Sequence, residues 1–443
     1  MNNLFRYWHV GVGCVVYSVL IHNIAYSTAH AENLTLPLGL DSSKAALTGF
    51  WDTRVGVRTQ DDKHQKQTSL AETRIRLNLE IPGEHAEFRL SSDLIYDDVV
   101  EHQDIDLETG AGVLDLREAS LLIKPSPNLD IKIGRQTLSW GTGGGLLSIN
   151  DRFPKDFRSL FIGRDIKYLK APPVDAVKLT KRSKLVNLDV IYSPRFDANR
   201  LIDGSRLSFF NPSLQQLSGN QHIIQVDKPD NWFEDDEINV RLSRNIKGFN
   251  SALYVYRGFW KSPAGFDPRL GKAIYPKLGV YGASVGGIVG RGLGKMELGY
   301  FDSMDDADGN NPFIRNSEIR FSTAYKQRLG KTMTLGAKYY VEHRRDHEKQ
   351  PQPRLADENR HVLSSRFTHS SMQQDLKLTL LAFYSPSDKD GYLRPMFSYQ
   401  LDNDWIVDGG ANIFFGDSEQ TTFGQLENNS NVYLGIRYRF SRP

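Results

Sequence analysis

The chain has 443 residues, 55 lysines and arginines against 53 acidic residues, a formal charge of +2 and a mean hydropathy of −0.45. That balance excludes a nucleic-acid binder, which carries a clear basic excess, and no apolar run beyond the N-terminus approaches the roughly 20 residues of a membrane helix. No Pro/Gly/Ser-rich linker divides the chain, so one large unit is expected.

The N-terminus runs from Met1 to Arg6, continues as an apolar stretch from Val10 to Ile24 and reaches Ala29-His30-Ala31. A charged region, an apolar region and a small-x-small site predict a cleaved signal peptide over residues 1–31. His22 and Asn23 make the apolar run short for an uncleaved anchor, and Gly11 stands where a lipoprotein signal wants an apolar residue. Cys14, the only cysteine, falls within the signal, so the mature chain has no disulfide framework, thiolate metal site or haem attachment. Residues 32–44 are expected to be a short periplasmic segment, and 45–443 the folded unit.

From Ala45 onward, apolar and polar residues alternate with period 2 in segments of about ten to fifteen residues. Between Thr73 and Ile81 one face carries Ile75, Leu77, Leu79 and Ile81, and the other Arg74, Arg76, Asn78 and Glu80. This predicts strands near 45–58, 68–81, 85–97, 113–124, 129–140, 174–182, 185–193, 235–245, 249–261, 276–289, 293–303, 315–328, 332–345, 359–370, 374–385, 390–401, 404–415 and 430–440. The connections alternate in length. Tight turns such as Pro82-Gly83-Glu84, Ile246-Lys247-Gly248, Leu329-Gly330-Lys331 and Asp402-Asn403 have the expected turn chemistry. Between them lie long polar loops near 59–67, 98–112, 141–173, 194–234, 262–275, 304–314, 346–358 and 416–429, with 386–389 as the short exception.

Such alternation predicts an all-β, transmembrane, antiparallel up-and-down barrel of about eighteen strands, with short periplasmic turns and long extracellular loops. A strand exposes alternate side chains to lipid, so half of each can stay polar, which explains the low hydropathy. Aromatics at strand ends, among them Trp51, Tyr96, Trp140, Tyr281, Trp405 and Phe415, suit interfacial girdles. A soluble β-sandwich or propeller would not require successive loops to alternate in length. The last strand ends Tyr438-Arg439-Phe440, similar to the assembly signal of outer-membrane proteins, with Ser441-Arg442-Pro443 beyond it. The expected setting is the outer membrane of a Gram-negative bacterium. The expected partners are outer-membrane lipid and lipopolysaccharide, periplasmic chaperones and the barrel-assembly machinery.

Eighteen strands enclose more space than side chains fill, so the lumen needs narrowing. The expected constriction is the third long loop, 141–173, which starts from the glycine run 141–145. It carries Asn150, Asp151, Arg152, Asp156, Arg158, Arg164, Asp165 and Lys167, and its apolar residues Leu146, Leu147, Leu160, Phe161 and Ile162 imply packing rather than free solvation. The polar wall is expected to expose Arg74, Arg76, Arg89, Lys132, Lys178, Arg241, Arg320, Lys338, Lys377, Arg394, Arg437 and Arg439, with fewer carboxylates, including Glu80, Asp93, Asp189, Glu237, Glu318 and Asp408. Arginine-lined pores favour anions, while cross-strand ion pairing is the structural alternative.

Other motif-like strings do not carry chemistry. The run Gly141 to Gly145 lacks the Gly-Lys-Ser/Thr of a phosphate loop. The stretch Asp306-Ala307-Asp308-Gly309-Asn310 lacks the glutamate a calcium loop needs, having Arg315 in its place. No Ser-His-Asp arrangement is evident, and neither enzyme activity nor a cofactor is expected.

The strings Leu116-Arg117-Glu118-Ala119 and Ile133-Gly134-Arg135-Gln136-Thr137-Leu138-Ser139-Trp140-Gly141 resemble the "REA … GRQ … WG" strand pair of porin-like outer-membrane families, among them the alginate-export proteins. The resemblance covers residues 113–158. It implies a monomeric eighteen-strand barrel with an arginine-rich lumen that passes an anionic polysaccharide, and it adds Arg135 to the pore wall. Arg135 is out of phase with Lys132, so both reach the lumen only if a bulge lies near Gly134. Three functions are expected: a passive channel for hydrophilic, anionic solutes or oligosaccharides; an exporter subunit for an anionic polysaccharide such as alginate; and a non-conducting adhesin or receptor.

Overall fold

The computed structural model describes residues 35–36, 39–99, 105–110, 112–140, 145–170, 172–212, 214–349 and 357–442. The expected signal peptide and most of the glycine run 141–145 lie outside the described residues. Eighteen long strands form one closed antiparallel barrel. In chain order β1 is Ala46–Arg58, β2 Thr68–Pro82, β3 Ala86–Asp97, β4 Leu114–Ser126, β5 Leu129–Gln136 and β6 Val174–Lys181. Then come β7 Asn187–Ser193, β8 Glu237–Ile246, β9 Phe249–Phe259, β10 Lys277–Val289, β11 Gly292–Ser303 and β12 Glu318–Leu329. The last six are β13 Met333–Arg344, β14 Asn359–Ser371, β15 Leu376–Ser385, β16 Asp390–Gln400, β17 Trp405–Gly416 and β18 Asn431–Arg442.

Each strand pairs with its sequence neighbours, and β18 closes on β1 from Asn431↔Arg58 to Arg442↔Leu47. Closure is what lets strands cross lipid, because an open edge would leave backbone N–H and C=O groups without partners. Ser441 and Arg442, which follow the terminal-type Phe440, continue this pairing against Thr48 and Leu47.

The alternation sets the two faces. On β1, Trp51, Val55 and Val57 are exposed outside, while Asp52, Arg54 and Arg58 are buried inside. Leu253, Tyr281, Leu298, Leu363 and Val432 continue the outer apolar belt, the solvation a bilayer core requires. No helix among the described residues is long and apolar enough to cross a membrane. At the short-turn end, Leu40 packs against Ile81 and Ala86 and bridges to Gly83, which fastens the segment before β1 to the β2–β3 turn.

Two strand ends differ from the sequence reading by three residues or more. β5 stops at Gln136 rather than near 140, because Trp140 leaves the sheet to pack its ring against Phe153 at 5.3 Å and Tyr254 at 6.3 Å. β12 starts at Glu318 rather than near 315, since Arg315 is drawn toward Glu318 and Glu342.

Candidate functional site: an arginine-lined lumen divided by one loop

The segment 145–170, between β5 and β6, runs inside the barrel and is fixed to strands around the ring. Asp151 anchors its start by accepting from the Trp140 backbone N–H at 3.2 Å and the Ser139 hydroxyl at 3.1 Å. Asn150 donates to the Ala283 carbonyl at 3.0 Å, Glu297 accepts from the Ile149 N–H at 3.2 Å, and Lys338 donates to the Leu147 carbonyl. A short helix, α1 (Phe157–Phe161), follows. Its N-cap is Asp156, whose carboxylate accepts from the Ser159 N–H at 2.9 Å and hydroxyl at 2.8 Å. Leu160, Phe161 and Ile162 are buried, with Phe161 edge-on to Tyr392 and Phe414 at 5.3 and 5.2 Å.

The far half of the loop is gripped by wall side chains. Arg394 donates to the Leu160 carbonyl at 3.0 Å, the Arg164 carbonyl at 2.7 Å and the Tyr433 hydroxyl at 3.1 Å. Asn431 donates to the Phe161 carbonyl at 2.9 Å. Arg164 pairs with Glu72 and lies 3.7 Å from Asp97, and Asp165 accepts from Arg437 at 3.2 Å. Tyr168 sits under a stack of guanidinium groups, with Arg74, Arg76 and Arg117 at 4.7, 5.2 and 5.3 Å from its ring. Arg158 donates to the Thr109 carbonyl at 2.9 Å, tying the segment to the preceding extracellular loop.

Charges within the loop follow these contacts. Burial raises the Asp156 carboxyl, but Arg158, Arg200 and Arg164 outweigh it and hold the group below its ordinary range. Burial likewise opposes ionisation of Asp165, which the Lys167 backbone N–H and Arg437 overcome. Arg152 is brought down to about 10, first by burial and then by the neighbouring Arg320. It forms no ion pair among the described residues. Its Nη2 donates to the Ser148 carbonyl at 3.3 Å, and its guanidinium lies 4.7 Å from the Phe301 ring.

The wall arginines are largely paired. Arg74 and Arg76 share Asp93, Arg74 also bonds Glu72, and Arg320 bridges Glu318 and Glu342. Arg437 reaches Asp52 at 2.7 Å, Lys132 reaches Glu118 at 2.6 Å, Arg241 lies 3.7 Å from Asp189, and Arg89 pairs with Glu87. Lys178 stands beside Lys132 in the register. Arg439 is exposed and makes no ion pair among the described residues.

Arg135 follows Gly134, whose φ is +112°. Pairing through Gly134 is unshifted, so the bulge that would bring Arg135 into phase with Lys132 is absent; the shift lies between Ile123 and Ser126 instead. Arg135 stands opposite Asp175 in the register, bonds its carboxylate at 2.8 and 3.0 Å and donates to the Leu107 carbonyl at 2.7 Å. The bulge that matters lies across β3 and β4, where Ser91 pairs with Glu118 and Ser92 with Leu116. It turns Arg117 and Glu118 to the same lumen chamber.

Sequence reading also passed over Arg54, Asp52, Glu72, Asp115, Arg200 and Arg366. Arg54 and Asp52 alternate with apolar residues on β1 as plainly as the residues chosen on β2. Arg200 lies in the fourth long loop, and its bidentate bond to Asp115 at 2.8 and 2.9 Å is a tertiary pairing with no local signal.

The loop divides the lumen. On the short-turn side is a chamber of about 810 Å³, bordered by the turn residues Asn403 and Asp404, with nine cationic and three acidic side chains on its wall. Several of the nine are engaged as described, but Lys167, Arg366, Lys377 and Arg439 form no ion pair among the described residues. On the long-loop side, a chamber of about 470 Å³ lies between the loop, β12 to β14 and residues 260–264, and another of about 230 Å³ lies beside Arg158 and Arg206. Arg164 borders both this last chamber and the short-turn one.

No protein-family profile matches the chain, and no curated protein does. Solved structures share its fold. Pseudomonas aeruginosa OccD3 (OpdP) aligns at 11% identity with a TM-score of 0.53 over 93% of this chain and 95% of its own. Pseudomonas aeruginosa OccK11 (OpdR) aligns at 10% identity and 0.54 over 93% and 99%, and Acinetobacter baumannii OccAB3 at 8% and 0.54 over 90% and 100%. At 8–11% identity the likeness is one of fold, a closed β-barrel of the same architecture.

Proposed function

We propose that this protein is a passive outer-membrane channel for small hydrophilic anions, with passage set by the loop 145–170 and the basic chamber beneath it. The observation that carries the reading is the excess of nine cationic over three acidic side chains in a chamber open to the short-turn end. Rings of cations in a narrow pore raise the local anion concentration and repel cations. Wall pairing leaves a limited free charge, so the expected selectivity is moderate. The barrel-assembly machinery, periplasmic chaperones and lipopolysaccharide are the expected partners of such a chain, and residues 1–31 its export signal.

Export of an anionic polysaccharide is the second reading, favoured by the same basic chamber. Planar-bilayer recording is the test. Discrete conductance steps with a reversal potential displaced toward the anion potential are expected. The absence of steps, or clear cation selectivity, would sink the channel, and silence together with tight binding of a uronate polymer would favour the exporter.

A further inference from the structure

The long-loop chamber of 470 Å³ has chemistry of its own. Seven cationic side chains line it with three carboxylates, and two more carboxylates, Glu237 and Glu318, pair with those cations from the wall. Two positive charges remain in excess. The carboxylates are occupied: Glu342 by Arg315 and Arg320, Asp388 by Arg360, and Asp151 by the Trp140 N–H. Arg152 has no carboxylate, and the enclosed Nε of Arg344 has no hydrogen-bond acceptor. Arg315 and Arg320 are further immobilised by the Trp260 ring, 5.1 and 5.6 Å away, so the site keeps its shape when empty.

We infer that this chamber binds the dianionic phosphoryl group of a small solute, inorganic phosphate or a phosphate monoester, with Arg152 as its principal ligand. The charge excess equals that of a phosphoryl dianion, whereas a single carboxylate would neutralise half of it. A guanidinium lacking a carboxylate partner offers N–H donors to the oxygens of such a group. A chamber of about 470 Å³ has room for a small monoester. The inference rests on the reading of the lumen as a solute path, yet binding can be measured without conduction.

Calorimetric titration of the detergent-solubilised, heat-modifiable barrel with inorganic phosphate, phenyl phosphate and benzoate is the test. Either phosphate is expected to bind at least tenfold tighter than benzoate at pH 7.5. Because the second ionisation of a phosphate monoester lies near pH 6, affinity for phenyl phosphate should fall several-fold by pH 5 while that of benzoate holds. Preference for inorganic phosphate or for the ester would identify the source. Arg152→Met should weaken binding at least tenfold, with partial recovery in Arg152→Lys. Benzoate binding as tightly, or Arg152→Met binding phosphate unchanged, would overturn the site. Phosphate binding without bilayer conductance would overturn the channel and leave the site standing.

Discussion

Gly282 of β10 and Gly299 of β11 are direct cross-strand partners, and the inserted loop presses into the gap they leave. A Cβ on Gly282 would meet the Asn150 Oδ1 at 1.8 Å, and one on Gly299 the Ile149 side chain at 2.6 Å. Gly282→Leu should therefore expel the start of the loop while the barrel closes as before. Overpacking of this kind costs about 1–3 kcal/mol. The expected readings are larger single-channel conductance and faster proteolysis within residues 145–170; unchanged conductance would show that the loop does not limit passage.

Arg164 borders the chambers on both sides of the loop and is tied to Glu72. Arg164→Met removes that tie and leaves Glu72 with Arg74. The loss is about 2 kcal/mol, the scale of one hydrogen bond between charged groups. Current noise and mean conductance should both rise. A variant with the parent's conductance and noise would show that Arg164 does not control passage between the chambers.

Lys167, Lys377 and Arg439 line the short-turn chamber without ion pairs among the described residues. Replacing all three by glutamate changes the local charge by six without breaking a wall salt bridge. The reversal potential in a salt gradient should move toward cation preference. A shift of similar size from an equal change at the exposed turn residue Lys184 and its neighbours would mean that the chamber holds no special position.

Asp197, in the loop after β7, is pushed up from its ordinary 3.8 to about 7, by burial first and by Asp175 second. A raised carboxyl means the folded loop holds a proton that the unfolded chain gives up. The loop is therefore most favoured below about pH 4, loses stability as pH climbs from 4 to 7, and carries the full penalty above 7. Asp197→Asn should remove that slope. Hydrogen exchange of wild type and variant at matched pH should agree at pH 4 and show greater protection of the variant at pH 8; equal protection at both would contradict the assignment.

The barrel was legible because its evidence is local and repeated. Period-2 alternation and the contrast of turn lengths mark strands such as β2 and β18 without any knowledge of their neighbours. The loop's importance was also readable, since Leu160, Phe161 and Ile162 are too apolar to remain in water. Its docking was not. The Gly282–Gly299 recess joins two strands that only register brings level, and Arg200–Asp115 spans a separation no local pattern encodes. For Arg135 the sequence offered only a condition, a bulge near Gly134, and the register slips instead at Ile123 and Ser126, a position that no local pattern marks.

The pairing of β18 with β1 runs the length of both strands and holds Arg442 beside Leu47. That seam is paired more extensively than the junction of β6 with β7, so closure is not the weak joint of the ring. Joining residue 442 to residue 46 with a few residues and reopening the chain at the tight turn 330–332 would preserve every strand pair. Order of synthesis is thus separable from the final circle, and a permuted chain offers a way to ask whether membrane insertion depends on which strand is made last.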